Sequence, residues 1–200
     1  MRCRFCHNPH LVFDPDSQPE IPEDEVMDFL ESRRGRLEGV VVSGGEPTVH
    51  SDLSQFLKRV KEAGFDVKLD TNGTHPHLVK SLVTLGWVDA LGFDYKHLLK
   101  DYKKTVCVAG HSPAAEAMLR MIPELDIPVD VRTTVHKLLH SPEDIVAMRA
   151  ELDRFGVVEW TIQQFNNVEV IDDRLNEVES YSDIELQEIV EPLHDTSIRG

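Results

Sequence analysis

The sequence predicts an α/β fold, an open partial (βα) barrel of about six βα units, on three observations. Short apolar runs alternate with amphipathic helical patterns along most of the chain, the signature of repeated βα units on a mostly parallel sheet. Most of these runs end in a polar cluster, and in parallel βα folds that rim is where ligands bind. Two hundred residues with 40% apolar and 28% charged content suffice for one domain with a real core.

Residues 10 to 21, with Pro15, Pro19 and acidic neighbours, read as a loop leading into a helix at about Pro22 to Arg34. Gly39 to Ser43 is the first strand, followed by a helix with Leu53, Phe56, Leu57 and Val60 on one face and Gly64 as its stop. Phe65 to Leu69 is the second strand; its helix carries Leu78, Val79, Leu82 and Val83 and closes at Gly86. Val88 to Phe93 is the third, and after an irregular helical stretch near Leu98 to Lys104, Ser112-Pro113 supplies a cap and first turn for a helix to about Ile122.

Pro128 to Val135 is the fourth strand, alternating Val129, Val131, Thr133 and Val135 against Asp130, Arg132 and Thr134. Ser141-Pro142-Glu143-Asp144 opens a helix with Ile145, Met148, Leu152 and Phe155 inward, and Val157 to Phe165 is the fifth strand. Residues 166–200 read as an acidic helical tail of the same single domain, with one helix from Ser182 to Leu193 capped by Ser182 and Glu185.

The formal charge of −15 argues against nucleic acid or an anionic membrane as partners, since both ask for a basic footprint. No run of about 18 apolar residues is present, so the expected compartment is the cytoplasm. Three cysteines do not make a disulfide framework; Cys107 reads as a buried or half-buried thiol.

Cys3 and Cys6 form a Cys-x-x-Cys pair, a spacing shared by zinc sites, thiol-disulfide enzymes and iron-sulfur proteins. Two thiolates are fewer than a closed zinc site or an iron-sulfur cluster takes. Ser43-Gly44-Gly45-Glu46-Pro47 reads either as a tight turn with a solvent-facing Glu or as bare backbone and one carboxylate offered to a ligand. Asp70-Thr71-Asn72-Gly73 fits a turn with glycine at positive φ. Asp94 and Lys96 point the same way along a strand, as a surface ion pair or as groups for a charged ligand. Arg132, Thr134 and His136 share one strand face, and Gln163-Gln164 end the fifth strand.

Met1-Arg2-Cys3-Arg4-Phe5-Cys6-His7-Asn8 resembles the end of the C-x-x-x-C-x-Φ-C-H-N loop of radical S-adenosylmethionine enzymes, particularly the activases of glycyl radical enzymes. Gly44 to Pro47 resembles their GGEP motif, and Asp70 to Gly73 and Asp94 to Lys96 resemble the D-T-N-G and D-x-K of the activases. The resemblance runs to about Phe165 and is closest to the short activating proteins of anaerobic ribonucleoside-triphosphate reductase. It implies a 4Fe-4S cluster on Cys3 and Cys6, with Phe5 as the loop's apolar residue. It implies S-adenosylmethionine held by Gly44, Gly45, Glu46, Pro47, Asp70, Thr71, Asn72, Asp94, Lys96, Arg132, Thr134 and His136.

In that family the cluster gives an electron to the sulfonium, the S–C5′ bond breaks, and the 5′-deoxyadenosyl radical takes a Cα hydrogen from a glycine of the partner. The implied partners are a glycyl radical enzyme and a ferredoxin or flavodoxin as electron donor. The first cysteine of the loop would fall two positions before Met1, so the coding frame is expected to continue upstream through that cysteine and an apolar first strand. Two alternatives stand beside this: a radical enzyme acting on a small molecule or peptide, and an inactive metal-binding barrel lacking the first cluster cysteine.

Overall fold

The computed structural model describes residues 2–14, 19–107, 110–166 and 170–200. Six strands make one parallel sheet in chain order: β1 (Gly39–Val42), β2 (Asp66–Thr71), β3 (Ala90–Asp94), β4 (Val129–Val135), β5 (Trp160–Gln164) and β6 (Thr196–Arg199). Among the described residues β1 pairs with β2 alone and β6 with β5 alone, so the barrel is open. The helices are α1 (Pro9–Phe13), α2 (Glu23–Ser32), α3 (Leu53–Glu62), α4 (Pro76–Thr84), α5 (Ser112–Met121), α6 (Pro142–Arg154), α7 (Arg174–Glu177) and α8 (Asp183–Val190).

Parallel strands are usually apolar on both faces because helices cover both. Here one face alone is so. Val67 and Leu69 of β2, Leu91 and Phe93 of β3, Val131 and Val135 of β4, and Trp160 and Ile162 of β5 are buried in one core with Leu57 and Val60 of α3, Leu82 of α4, Met118 of α5, and Ile145 and Met148 of α6. The intervening residues, pointing the other way with the period of two, are Lys68, Asp70, Gly92, Asp94, Asp130, Arg132, Thr134, Thr161 and Gln163. That concave face is a polar chamber wall, and the alternation seen in Pro128 to Val135 is its sequence signature.

The five expected strands are all present, each within a few residues of its expected bounds. The expected capping boxes form too: Ser141 and Asp144 close the start of α6, and Ser182 and Glu185 the start of α8. Three local differences have physical reasons. Pro9–Phe13 is helical where a loop was expected, with Pro9 preset for a first turn; Pro15 lies outside the described residues. At α5 the cap position is His111, and the Ser112 hydroxyl instead donates to the Leu99 carbonyl. In the segment expected to be a helical tail, Thr196–Arg199 joins β5 as a sixth strand after Asp195 turns the chain at φ 48°. Four residues are too few for a readable period.

Three fully buried histidines tie the rim together. The His140 Nε2–H donates to the Lys96 carbonyl while its Nδ1 accepts from the His136 amide. His97 stacks on it at 4.9 Å and bonds the Leu139 carbonyl, and His136 reaches the Leu175 and Val178 carbonyls. Burial pushes all three below the ordinary histidine value, His140 to about 3.

The unfolded chain takes up these protons near pH ~6.5 and the folded chain does not, so the stability they contribute is complete above that pH and is lost as pH falls. Unfolding free energies from urea titrations are therefore expected to decline from about pH 6.5 to about pH 4.5, above the carboxylate range. His140→Gln should flatten that decline; an equal slope in both proteins would count against the buried-histidine account.

Candidate functional site

The cysteine loop is fastened to the barrel by main-chain bonds and by the buried Phe5 side chain. Cys3 bridges Val106 in antiparallel fashion, the Arg4 amide donates to the Thr105 carbonyl, and the Cys107 amide donates to the Arg2 carbonyl. The Cys6 amide returns to the Cys3 carbonyl, closing the turn that brings both thiols toward one space. Phe5 is buried beside Leu139, Phe165, Val170 and Leu175, a small core of its own, with the Lys96 ammonium 5.0 Å from its ring centre. Cys107 is exposed rather than buried, because the bridge leaves it at the outer end of the loop's support.

Glu46 does not face solvent. It is buried, and its carboxylate accepts from the Thr71 hydroxyl (2.6 Å), the Asn72 amide (2.7 Å), the Thr48 amide (3.2 Å) and the Thr48 hydroxyl. Four donors leave that carboxylate committed, so it braces the turn after β1 against the turn after β2. Gly73 completes the second turn: it holds φ 77°, and a Cβ there would strike Phe93 and Met118. An Asx turn, the Thr74 amide on Asn72 Oδ1, carries the chain into α4.

Across the floor run linked charges. Arg132 reaches Asp94 through Nε at 2.6 Å and Asp70 through Nη2 at 3.0 Å, and Lys96 meets the other Asp94 oxygen at 2.9 Å. Gly92, on the strand between, makes room for this: a Cβ there would collide with Asp70 Oδ1 and crowd Arg132. Burial alone would raise the Asp94 carboxyl, but the charges of Lys96 and Arg132 outweigh it and hold the group below its ordinary value. Burial lowers Lys96, and Asp94 more than restores it. At Cys3 burial wins over the Lys96 charge and the thiol is pushed up, so a metal must displace its proton to bind.

One cavity of about 360 Å³ collects these groups. Cys3, Phe5, Cys6, Gly44, Gly45 and Glu46 line it, as do Asp70, Thr71, Asn72, Asp94, Lys96, Arg132 and Thr134. Two expected site residues are not on its wall. Pro47 is buried as the first residue of the turn after Glu46, and His136 is turned away, its ring spent on the Leu175 and Val178 carbonyls and edge-on to Phe165. His7, Asn8, Val12 and Gln163 also line it. The Cys-His-Asn spelling and the end of β5 pointed to three of these; nothing in the sequence singled out Val12 or the space above Gly92.

The donor chemistry fits S-adenosylmethionine in full and the cluster in part. Cys3 and Cys6 offer two sulfurs on one side, although among the described residues no further His, Cys, Asp or Glu joins them in a metal-holding group. Opposite, Glu46, Asp70 and Asp94 against Lys96 and Arg132 leave one net negative charge, the complement of a ligand bearing a sulfonium, an ammonium and a carboxylate. Among the described residues Asp70 Oδ1 is buried with no hydrogen-bond donor, the Lys68 ammonium standing 3.6 Å away, the kind of under-satisfied acceptor that a ligand completes.

Two variants separate brace from floor. Glu46→Ala strands the buried Asn72 amide and Thr71 hydroxyl and is expected to lower the unfolding free energy by about 2–4 kcal/mol in chemical denaturation. Gly92→Ala should leave the helix-side core packed but push Asp70 and Arg132 apart, weakening S-adenosylmethionine binding in calorimetry more than it weakens stability. Unchanged affinity in Gly92→Ala would show that the Asp70–Arg132 contact does not shape the ligand site.

The sequence profile of the Radical SAM superfamily matches residues 1–161. A protein of Methanocaldococcus jannaschii named as a glycyl-radical enzyme activating enzyme is 29% identical over 197 residues, covering 94% of this chain and 78% of the relative. A protein of Thermococcus kodakarensis named as a GTP 3′,8-cyclase is 31% identical over 154 residues, 75% of this chain and 49% of the relative. Among solved structures, Streptococcus suis SuiB bound to S-adenosylmethionine superposes with a TM-score of 0.75 at 14% identity, over all of this chain and 47% of that one, a likeness of fold. This chain thus spans about half the length of the latter two. With the profile covering most of the chain and the cysteine loop, the Gly-Gly-Glu-Pro turn and the charged floor meeting in one cavity, the chain belongs to the radical SAM superfamily, whose enzymes use a 4Fe-4S cluster and S-adenosylmethionine.

Proposed function

We infer that this chain is the activating component of a glycyl radical enzyme, most specifically of an anaerobic ribonucleoside-triphosphate reductase, working in the cytoplasm with a ferredoxin or flavodoxin as electron donor. The observation that carries the reading is the similarity to a protein named as such an activating enzyme over 94% of this chain. The Cys3-Arg4-Phe5-Cys6-His7-Asn8 spelling and the open concave wall beside it support the same reading.

A cluster held by Cys3 and Cys6 would supply the one electron that splits S-adenosylmethionine into methionine and the oxidant for the partner's glycine Cα–H. The chain's own residues bind and orient. Cys3 and Cys6 are the thiolates for the cluster, and the bonds to Thr105 and Val106 fix their loop. The turn at Gly44 and Gly45 offers main-chain groups to the ammonium, since the Glu46 carboxylate is already committed to four donors. Lys96 and Arg132 meet the ligand's carboxylate, and Asp94 and Asp70 counter its positive charges.

A second reading, a radical enzyme acting on a nucleotide, is favoured by the 31% identity to the GTP cyclase. One experiment separates them. Anaerobically reconstituted protein carrying all the cysteines of the cluster loop is given S-adenosylmethionine, a reductant and either an anaerobic ribonucleotide reductase or GTP. The expected result is 5′-deoxyadenosine together with a glycyl radical signal on the reductase in electron paramagnetic resonance. Consumption of GTP with no radical on the protein partner would overturn the activase reading.

A further inference from the structure

The cofactor chamber does not end at β4. Thr134, Gln163 and His7 line both it and a smaller cavity of about 220 Å³, and Arg199 lines that cavity and a third, of about 680 Å³, which reaches the starts of β4, β5 and β6. The three adjoin in a row, a trough along the concave face from the cysteine loop to Asp130, with Arg199 standing between its outer two. Beyond the cofactor chamber its wall carries the hydroxyls of Thr161 and Ser197 and the amides of Gln163, Gln164 and Asn166. These are neutral groups; Thr161 already donates to Asp130 and Gln164 to the Tyr181 carbonyl, so Gln163, Asn166 and Ser197 are chiefly the ones left to donate and accept along a peptide backbone.

Among the described residues, Arg199 is the one Lys or Arg lining the two outer cavities. Its side chain is 57% exposed, and its guanidinium touches Asp130 only at 3.5 Å. Asp130 has other partners, the Thr161 hydroxyl at 3.1 Å and Lys68 at 3.6 Å, so Arg199 can leave it at small cost. Among the described residues, the cavity between His7 and Arg199 is lined by no Asp or Glu. A polyphosphate would find a single cation there and meet Asp130, Glu159 and Asp195 further along.

We propose that this trough binds an extended polypeptide segment of the partner, and that Arg199 is its specificity residue, capturing an acidic side chain of that segment. The assignment rests on the activase reading and adds to it where the segment lies and what is read. Gln163, between the cofactor chamber and Arg199, holds the backbone near the reacting end.

The test uses the full chain and eight-residue alanine peptides with a central glycine. A single Asp is moved through the other positions, each peptide having an Asn twin, and binding is followed by calorimetry. At one position the Asp peptide is expected to bind about tenfold more tightly than its twin, the worth of one charge-assisted guanidinium–carboxylate contact. Arg199→Gln should erase that preference, while Gln163→Ala weakens both twins alike. Twins that bind equally at every position, or a preference that survives in Arg199→Gln, would overturn the assignment and leave the activase reading standing if a glycyl radical still forms on the reductase. GTP binding to the trough in an Arg199-dependent way would overturn both.

Discussion

Asp70 and Asp94 stand on neighbouring parallel strands with only Gly92 beside them, and the Arg132 guanidinium that reaches both is what lets two carboxylates share one partly buried wall. Two such charges without a cation between them would push one another toward protonation. With Arg132 in place, and Lys96 on the far oxygen of Asp94, the Asp94 carboxyl is held below its ordinary value and stays an acceptor for a ligand. The arrangement depends on the pleat: Asp94 and Arg132 are register partners on β3 and β4, and Asp70 is the partner of Gly92. A one-residue slip would send this set into the helix-side core.

Much of this was legible in the sequence, because it is written in short-range patterns. The alternation of Val129, Val131, Thr133 and Val135 with Asp130, Arg132 and Thr134 gives both the strand and its two faces. Ser141 with Asp144 and Ser182 with Glu185 mark helix starts through contacts three residues apart. The motif turns fall at strand ends, so a parallel sheet gathers them on one rim without further information.

What escaped was whatever depends on a distant partner. Glu46 looks like a ligand group in its turn, but two of the four donors that commit it come from Thr71 and Asn72, some 25 residues on. His136 shares a strand face with Arg132 and Thr134, yet its ring is drawn off by carbonyls near residue 175. Gly92 carries no signal at all, since its role is the space that Asp70 fills. The strand Thr196–Arg199 is similar: four half-exposed residues take their structure from β5, and with them Arg199 reaches the concave wall.

The central claim, that Arg132 organises the cofactor wall through Asp94, is tested most directly by a double-mutant cycle on S-adenosylmethionine affinity, using anaerobically reconstituted wild type, Asp94→Asn, Arg132→Gln and the double variant in calorimetric titrations. The account expects each single change to weaken binding and the double change to fall short of their sum by about 1 kcal/mol or more, as for two residues in one ion-pair network. Additivity within about 0.5 kcal/mol, or an Arg132→Gln protein that binds as the wild type does, would contradict it.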